Sequence, residues 1–137
     1  MTLRDVDFDP PKTEYRHTDA DQDDLLRRRP DIALNLFHSD RDYAIANCPG
    51  ATDRIVPASL TTEDLDEFIC GSFRDVNILA RGIETKLKGQ PICVNDVTTY
   101  EVVDRKQERL FTDVTIHTYK NGRTLSQIHS VRLVFID

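Results

Sequence analysis

The chain has 137 residues, of which 39% are hydrophobic and 31% charged, and a formal net charge of −6. That length fits one domain with a single core. An acidic balance whose one basic run is Arg27-Arg28-Arg29 argues against a nucleic-acid-binding surface. No apolar run approaches the roughly 18 residues of a membrane span. The polar start, Met1-Thr2-Leu3-Arg4-Asp5-Val6-Asp7, lacks a signal-peptide pattern, so a cytoplasmic protein is expected. Cys48, Cys70 and Cys93 are odd in number and widely spaced, which is neither a disulfide framework nor a zinc pattern. His17, His38, His117 and His129 have no metal-binding spacing, and no cofactor is expected.

Residues 1–12 are polar and close on Pro10-Pro11, which reads as a flexible arm ahead of a short strand at Lys12–His17. A helix is expected over residues 18–29. Thr18 or Asp19 caps it, acids fill its first turn, arginines fill its last, and Pro30 ends it. Asp31 to His38 forms a loop, and Asp40 then caps a short helix that Asn47, Pro49 and Gly50 break. Ile55-Val56-Pro57-Ala58-Ser59-Leu60 leads into a helix over Thr61–Cys70, where Thr61 and Asp64 have the spacing of a capping box. Leu60, Leu65, Phe68 and Ile69 give that helix a narrow apolar stripe, and Gly71-Ser72 reads as its stop.

From Phe73 the periodicity becomes that of strands. One strand is expected over Val76–Leu87 with a distortion at Gly82, then a turn at Lys88-Gly89-Gln90-Pro91. A second covers Ile92–Val103, with a polar connection over Asp104–Glu108. The third, Leu110–Tyr119, puts Leu110, Val114 and Ile116 on one side. Asn121-Gly122 is a strong hairpin signal. The last strand, Arg123–Ile136, places Leu125, Val131, Leu133 and Phe135 on one face together with His129. These strands read as a four-strand antiparallel meander whose apolar face the Thr61–Cys70 helix covers, an α+β arrangement.

Four pieces, Asn35-Leu36-Phe37-His38-Ser39-Asp40, Asp42-Tyr43-Ala44, Ile55–Leu60 and Lys88-Gly89-Gln90, in this order resemble the MaoC-like, hydratase-2 type acyl-thioester hydratases and dehydratases of the hot-dog fold. Asn35-Leu36-Phe37-His38-Ser39-Asp40 is similar to the family's D-x-N-P-x-H-x-D loop, and Asp42-Tyr43-Ala44 to the e-y-A segment directly behind that loop. Ile55–Leu60 resembles the lead into the central helix, and Lys88-Gly89-Gln90 a turn between sheet strands. The resemblance spans about residues 31–137. It implies an antiparallel sheet wrapped around a central helix, with no cofactor. It also implies a substrate that is an α,β-unsaturated or 3-hydroxyacyl thioester of CoA or a carrier protein. The partner is another hot-dog subunit, in a homodimer or heterodimer. Carried over by position, His38 is the general base and Asn35 its orienting side chain. Val56, Ala58 and Ser59 lie at the substrate, with Ala58 or Ser59 offering an N–H to the thioester carbonyl.

The sequence departs from this pattern where it matters. The family's catalytic Asp sits five residues before its His, and here that position is Ala33, so Asp31 is the nearest replacement acid. Leu36 stands for the family's proline and Ala58 for its glycine at the helix start. The helix also carries Glu63, Asp64, Asp66 and Glu67, so either one face is solvated or the helix is shifted. Hydration or dehydration is therefore one reading. A non-catalytic partner subunit, a thioesterase using helix acids, and a cyclase or isomerase are the others.

Overall fold

The computed structural model describes residues 14–72 and 77–136, so the arm expected over residues 1–12 lies outside it. Strand β1 (Glu14–Arg16) is followed by four helices: α1 (Asp19–Arg28), α2 (Pro30–Ala33), α3 (Leu36–Ser39) and α4 (Arg41–Asn47). The long helix α5 (Ala58–Ser72) precedes β2 (Asn77–Leu87), β3 (Val97–Gln107), β4 (Thr112–Lys120) and β5 (Thr124–Ile136).

Local chemistry sets the helix starts. Thr18 and Asp21 form a reciprocal capping box on α1. Asn35 caps α3 by accepting from the Phe37 N–H, and Asp40 caps α4 by accepting from Tyr43. Pro30 ends α1 but also opens α2, where its missing N–H costs nothing. The central helix begins earlier than its apparent capping box suggests. Leu60 and Thr61 donate to the Pro57 carbonyl, and Asp64 turns inward to His17 instead of capping.

The sheet is antiparallel, in the order β1-β3-β4-β5-β2. A simple meander is thus corrected: β3-β4-β5 run as neighbours, but β2 pairs with β5 on the far side. The connection from β2 to β3 must cross the end of the sheet where the β4–β5 hairpin turns. That hairpin has positive φ at both Asn121 (52°) and Gly122 (88°), a region that Asn and Gly enter more readily than other residues.

Strand limits differ from the periodicity in three places. Residues 92–96 form a turn with Asn95 at φ 71°, so β3 starts at Val97 and runs through the expected polar connection to Gln107. Leu110 is outside β4 and exposed, and the inward face is Thr112, Val114, Ile116, Thr118 and Lys120. Gly82 stays in register with Arg132, and the irregularity in β2 falls between Ile78 and Ala80.

Leu65, Phe68 and Ile69 of α5 pack with Tyr15, Tyr100, Val114, Ile116, Val131 and Leu133 of the sheet in one core cluster. Each large side chain buried in this way contributes about 1.5–3 kcal/mol. The acids of α5 divide by face. Glu63 and Glu67 are exposed, Asp66 meets Arg81 at 2.6 Å, and only Asp64 is buried, with His17 Nε2 at 2.7 Å. A sheet wrapped around one helix is the α+β arrangement expected of the chain.

Candidate functional site

A cavity of about 570 Å³ lies where three segments meet: the α3–α4 region, the start of α5, and the crossover between β2 and β3. His38, Cys48 and Pro49 line one wall; Ile55, Val56, Ala58 and Thr61 another; Leu87, Gly89–Ile92, Ser126 and Gln127 the third. The lining is mainly apolar, and none of these residues is a carboxylate.

The crossover wall is fastened at many points. Gly89 turns at φ 77°. The Lys88 N–H donates to Ser126 O at 3.0 Å, and Ser126 Oγ donates to Gln90 O at 2.6 Å. Ser126 reaches inward because β5 carries a bulge there: Thr118 pairs with Gln127 and Tyr119 with Leu125, so Ser126 is the extra residue. This corrects the expected face of β5, since Ser126 and not Leu125 is buried beyond the bulge. Lys120, itself buried, donates to Pro91 O at 2.9 Å and lies 3.5 Å from buried Asp96. Asp96 accepts in turn from the Cys93 N–H and from Asn121 Nδ2.

The second wall is a strip, residues 54–56, bonded to residues 92–94 through Val56 N to Ile92 O and Val94 N to Arg54 O, both 2.8 Å. Arg54 also reaches Asp19 and Asp23 of α1 at 3.1 and 2.7 Å. Helix α5 starts directly after this strip. Its first intrahelical donors are Leu60 and Thr61, so the Ala58 and Ser59 amides belong to the unsatisfied first turn at the positive end of the helix.

On the remaining wall, His38 Nδ1 lies 2.7 Å from the Ile55 carbonyl oxygen. A carbonyl only accepts, so Nδ1 carries the proton and Nε2 of the neutral ring is a free lone pair. The structure thus brings His38, Val56 and Ala58 to one cavity. Val56 offers it a side chain and no N–H, because that amide is spent on Ile92. Ser59 is exposed and outside the lining.

Two expected partners of His38 go elsewhere. The Asn35 side chain is occupied as the α3 cap and does not orient the imidazole. Asp31 is exposed with both oxygens on the Arg29 guanidinium, at 3.0 and 2.7 Å, and that cation holds its carboxyl below the usual range. It is not at the cavity. Ala33 leaves nothing in its place.

Sequence reasoning missed Gln22, Gln90 and Ser126. Gln22 stands three residues before Leu25 on the inward stripe of an otherwise charged helix, and that amide among carboxylates was a readable signal. The bulge that turns Ser126 inward left no trace in the sequence. Among the described residues, no group of three His, Cys, Asp or Glu is placed to hold a metal ion. No described helix is long and apolar enough to cross a membrane.

No protein-family profile and no curated protein matches the chain by sequence. Solved structures do match in shape. The ChsH1–ChsH2 complex from Mycobacterium tuberculosis contains a chain superposing with a TM-score of 0.68 at 19% identity, covering 99% of this chain and 100% of that one. A MaoC-like dehydratase from Rhodospirillum rubrum gives a TM-score of 0.67 at 14% identity, over 100% and 98% of the two chains. This is the hot-dog fold of the MaoC-like proteins. The (R)-hydratase from A. caviae involved in PHA biosynthesis has the same hot-dog arrangement, with a TM-score of 0.63 at 17% identity over 98% and 99% of the chains. Hydratases and dehydratases are therefore among the proteins that share this hot-dog scaffold.

Proposed function

We propose that the protein hydrates an α,β-unsaturated acyl thioester, or dehydrates the corresponding 3-hydroxyacyl thioester, carried by CoA or a carrier protein. The observation carrying this reading is His38, whose Nδ1 is tied to Ile55 O beside an apolar cavity that also receives the first turn of α5. In the hydration direction, Nε2 takes a proton from water as the water oxygen bonds to the β carbon. The carbon–carbon π electrons move toward the thioester carbonyl, whose oxygen the Ala58 amide stabilises. The imidazolium then returns one proton to the α carbon and the enolate electrons reform the carbonyl. Water is consumed, one C–O and one C–H bond form, and His38 ends neutral. One base thus serves both steps, consistent with a cavity that no carboxylate lines.

The test is loss of the enoyl-thioester ultraviolet band with a short trans-2-enoyl-CoA, run on the wild type, His38→Ala and Asp31→Ala. The reading expects loss in the wild type and Asp31→Ala and none in His38→Ala. Full activity in His38→Ala sinks it. Release of free thiol in place of hydration would favour a thioesterase. Of the helix acids proposed for that chemistry, Glu63 and Glu67 are exposed and Asp64 is paired with His17, and none lines the cavity.

A second reading, a partner subunit in a hot-dog heterodimer, is favoured by Ala33. On that reading the chain is silent alone and changes the activity of a catalytic hot-dog subunit on mixing. Either way the 11-residue strand β2 ends the sheet among the described residues, and an edge strand of that length suits pairing with a second subunit. Such a subunit would lie near Leu87, which is 73% exposed at the cavity. Sedimentation at the mass of one 15.7 kDa chain would contradict the pairing.

A further inference from the structure

The Gln22 side chain is fully buried, on the inward side of α1 beside Leu25. Its Nε2 donates to two backbone carbonyls, His38 O and Ile55 O, each at 3.0 Å. Two acceptors fix which end of the amide faces them, because a carbonyl cannot donate. Ile55 O uses its second lone pair on His38 Nδ1 at 2.7 Å. One amide group therefore holds both ends of the imidazole contact: the backbone that carries the ring and the oxygen that receives its proton. The cost is visible in the same side chain, since Gln22 Oε1 is buried with no hydrogen-bond partner among the described residues. Leu or Met would fill the position without an unpaired interior oxygen.

We infer that Gln22 is a positioning residue, keeping His38 in the tautomer whose Nε2 is unprotonated. The inference rests on His38 being the base proposed above, but its readout is independent of turnover. Each link is geometric: α1 is anchored to the 54–56 strip by Arg54 on Asp19 and Asp23, and Gln22 reads the same strip one residue further on, at Ile55. Without Gln22, Ile55 O keeps only the imidazole, and α3 is held there by the Ile55 N–H to Phe37 O bond at 2.8 Å. The His38 and Ile55 backbones then lose their shared donor, the Nδ1–Ile55 O contact loosens, and the ring can exchange tautomers.

The experiment is nitrogen-15 NMR of the labelled full chain at a pH where His38 is neutral, for wild type and Gln22→Met. In the wild type the His38 Nδ1 resonance is expected at the protonated, pyrrole-like position and Nε2 at the unprotonated, pyridine-like one. In Gln22→Met both move toward a tautomer average, while His129 signals stay in place as the check that the sheet is intact. A wild-type ring protonated on Nε2, or an unchanged His38 in a folded Gln22→Met, overturns the inference. If Gln22→Met does not fold, Gln22→Glu provides the comparison. It keeps the shape and donates a single bond only when protonated, so the His38 tautomer should shift as that carboxyl ionises; no shift overturns the inference. A wild type that turns over no enoyl thioester yet keeps Nδ1 protonated removes the proposed function and leaves this one standing.

Discussion

His38 and His129 sit in two differently built regions, and the difference separates an imidazole with one nitrogen on a backbone carbonyl from one with both nitrogens engaged. His129 lies in the sheet with both ring nitrogens engaged: Nδ1 with Thr85 Oγ1 at 2.8 Å and Nε2 with Thr118 Oγ1 at 2.7 Å, on the strands to either side. Its ring stacks near Tyr100, with centroids 6.4 Å apart. Burial, with His117 as a smaller contributor, lowers its pKa to about 4, so it is neutral and closed to chemistry. His38 is half-buried on a short helix, spends one nitrogen on a backbone carbonyl, and leaves the other beside a cavity. Regular strands saturate a side chain from both sides. An irregular junction of loops leaves one side open.

The largest stability effect that sharpens this contrast falls on the cavity wall. Lys120 and Asp96 are a buried pair holding the crossover, and Lys120→Met leaves the Asp96 carboxylate buried without its cation. Urea unfolding should show a loss of about 3–5 kcal/mol; a loss confined to a few tenths would mean that the pair does not hold the wall.

The sheet histidine gives the next effect. The folded His129 pKa of about 4 lies below the unfolded value of 6.5. The unfolded chain therefore binds the extra proton between these values. Stability from this group is complete above pH 6.5 and lost as the pH falls toward 4, by roughly 3 kcal/mol in all. His129→Gln should flatten that slope in urea unfolding between pH 7 and 4. An equal slope in the variant would place the sensitivity elsewhere.

Smaller effects test the residues that resemblance placed beside His38. Asn35→Ala removes only a helix cap and should cost about 1 kcal/mol, with turnover unchanged. Asp31→Ala breaks one exposed, solvent-screened pair and should leave stability almost unchanged, again without loss of turnover. A collapse of activity in either would return that residue to the catalytic group.

The sequence carried α1, α4, α5 and the closing hairpin, because caps such as Thr18 and Asp40 and the Asn121-Gly122 pair act within a few residues, whereas the short helices α2 and α3 fall on the stretch expected as a loop. Sheet order was not readable as a meander, since β2 pairs with β5 through contacts distant in sequence. Motif spacing singled out His38 and Ala58, and both line the cavity. Asn35 and Asp31 misled because a capping Asn and a catalytic Asn share the same spacing, and because Arg29, two residues away, captures Asp31. The buried amide of Gln22 was marked by its place among carboxylates, but its partners, 16 and 33 residues distant, were not.

The most direct test follows the ultraviolet band of a short trans-2-enoyl-CoA with purified wild type and His38→Ala side by side. The proposed base predicts steady loss of the band with the wild type and a rate about 10²–10⁴-fold lower in the variant. Equal rates in the two proteins would contradict it.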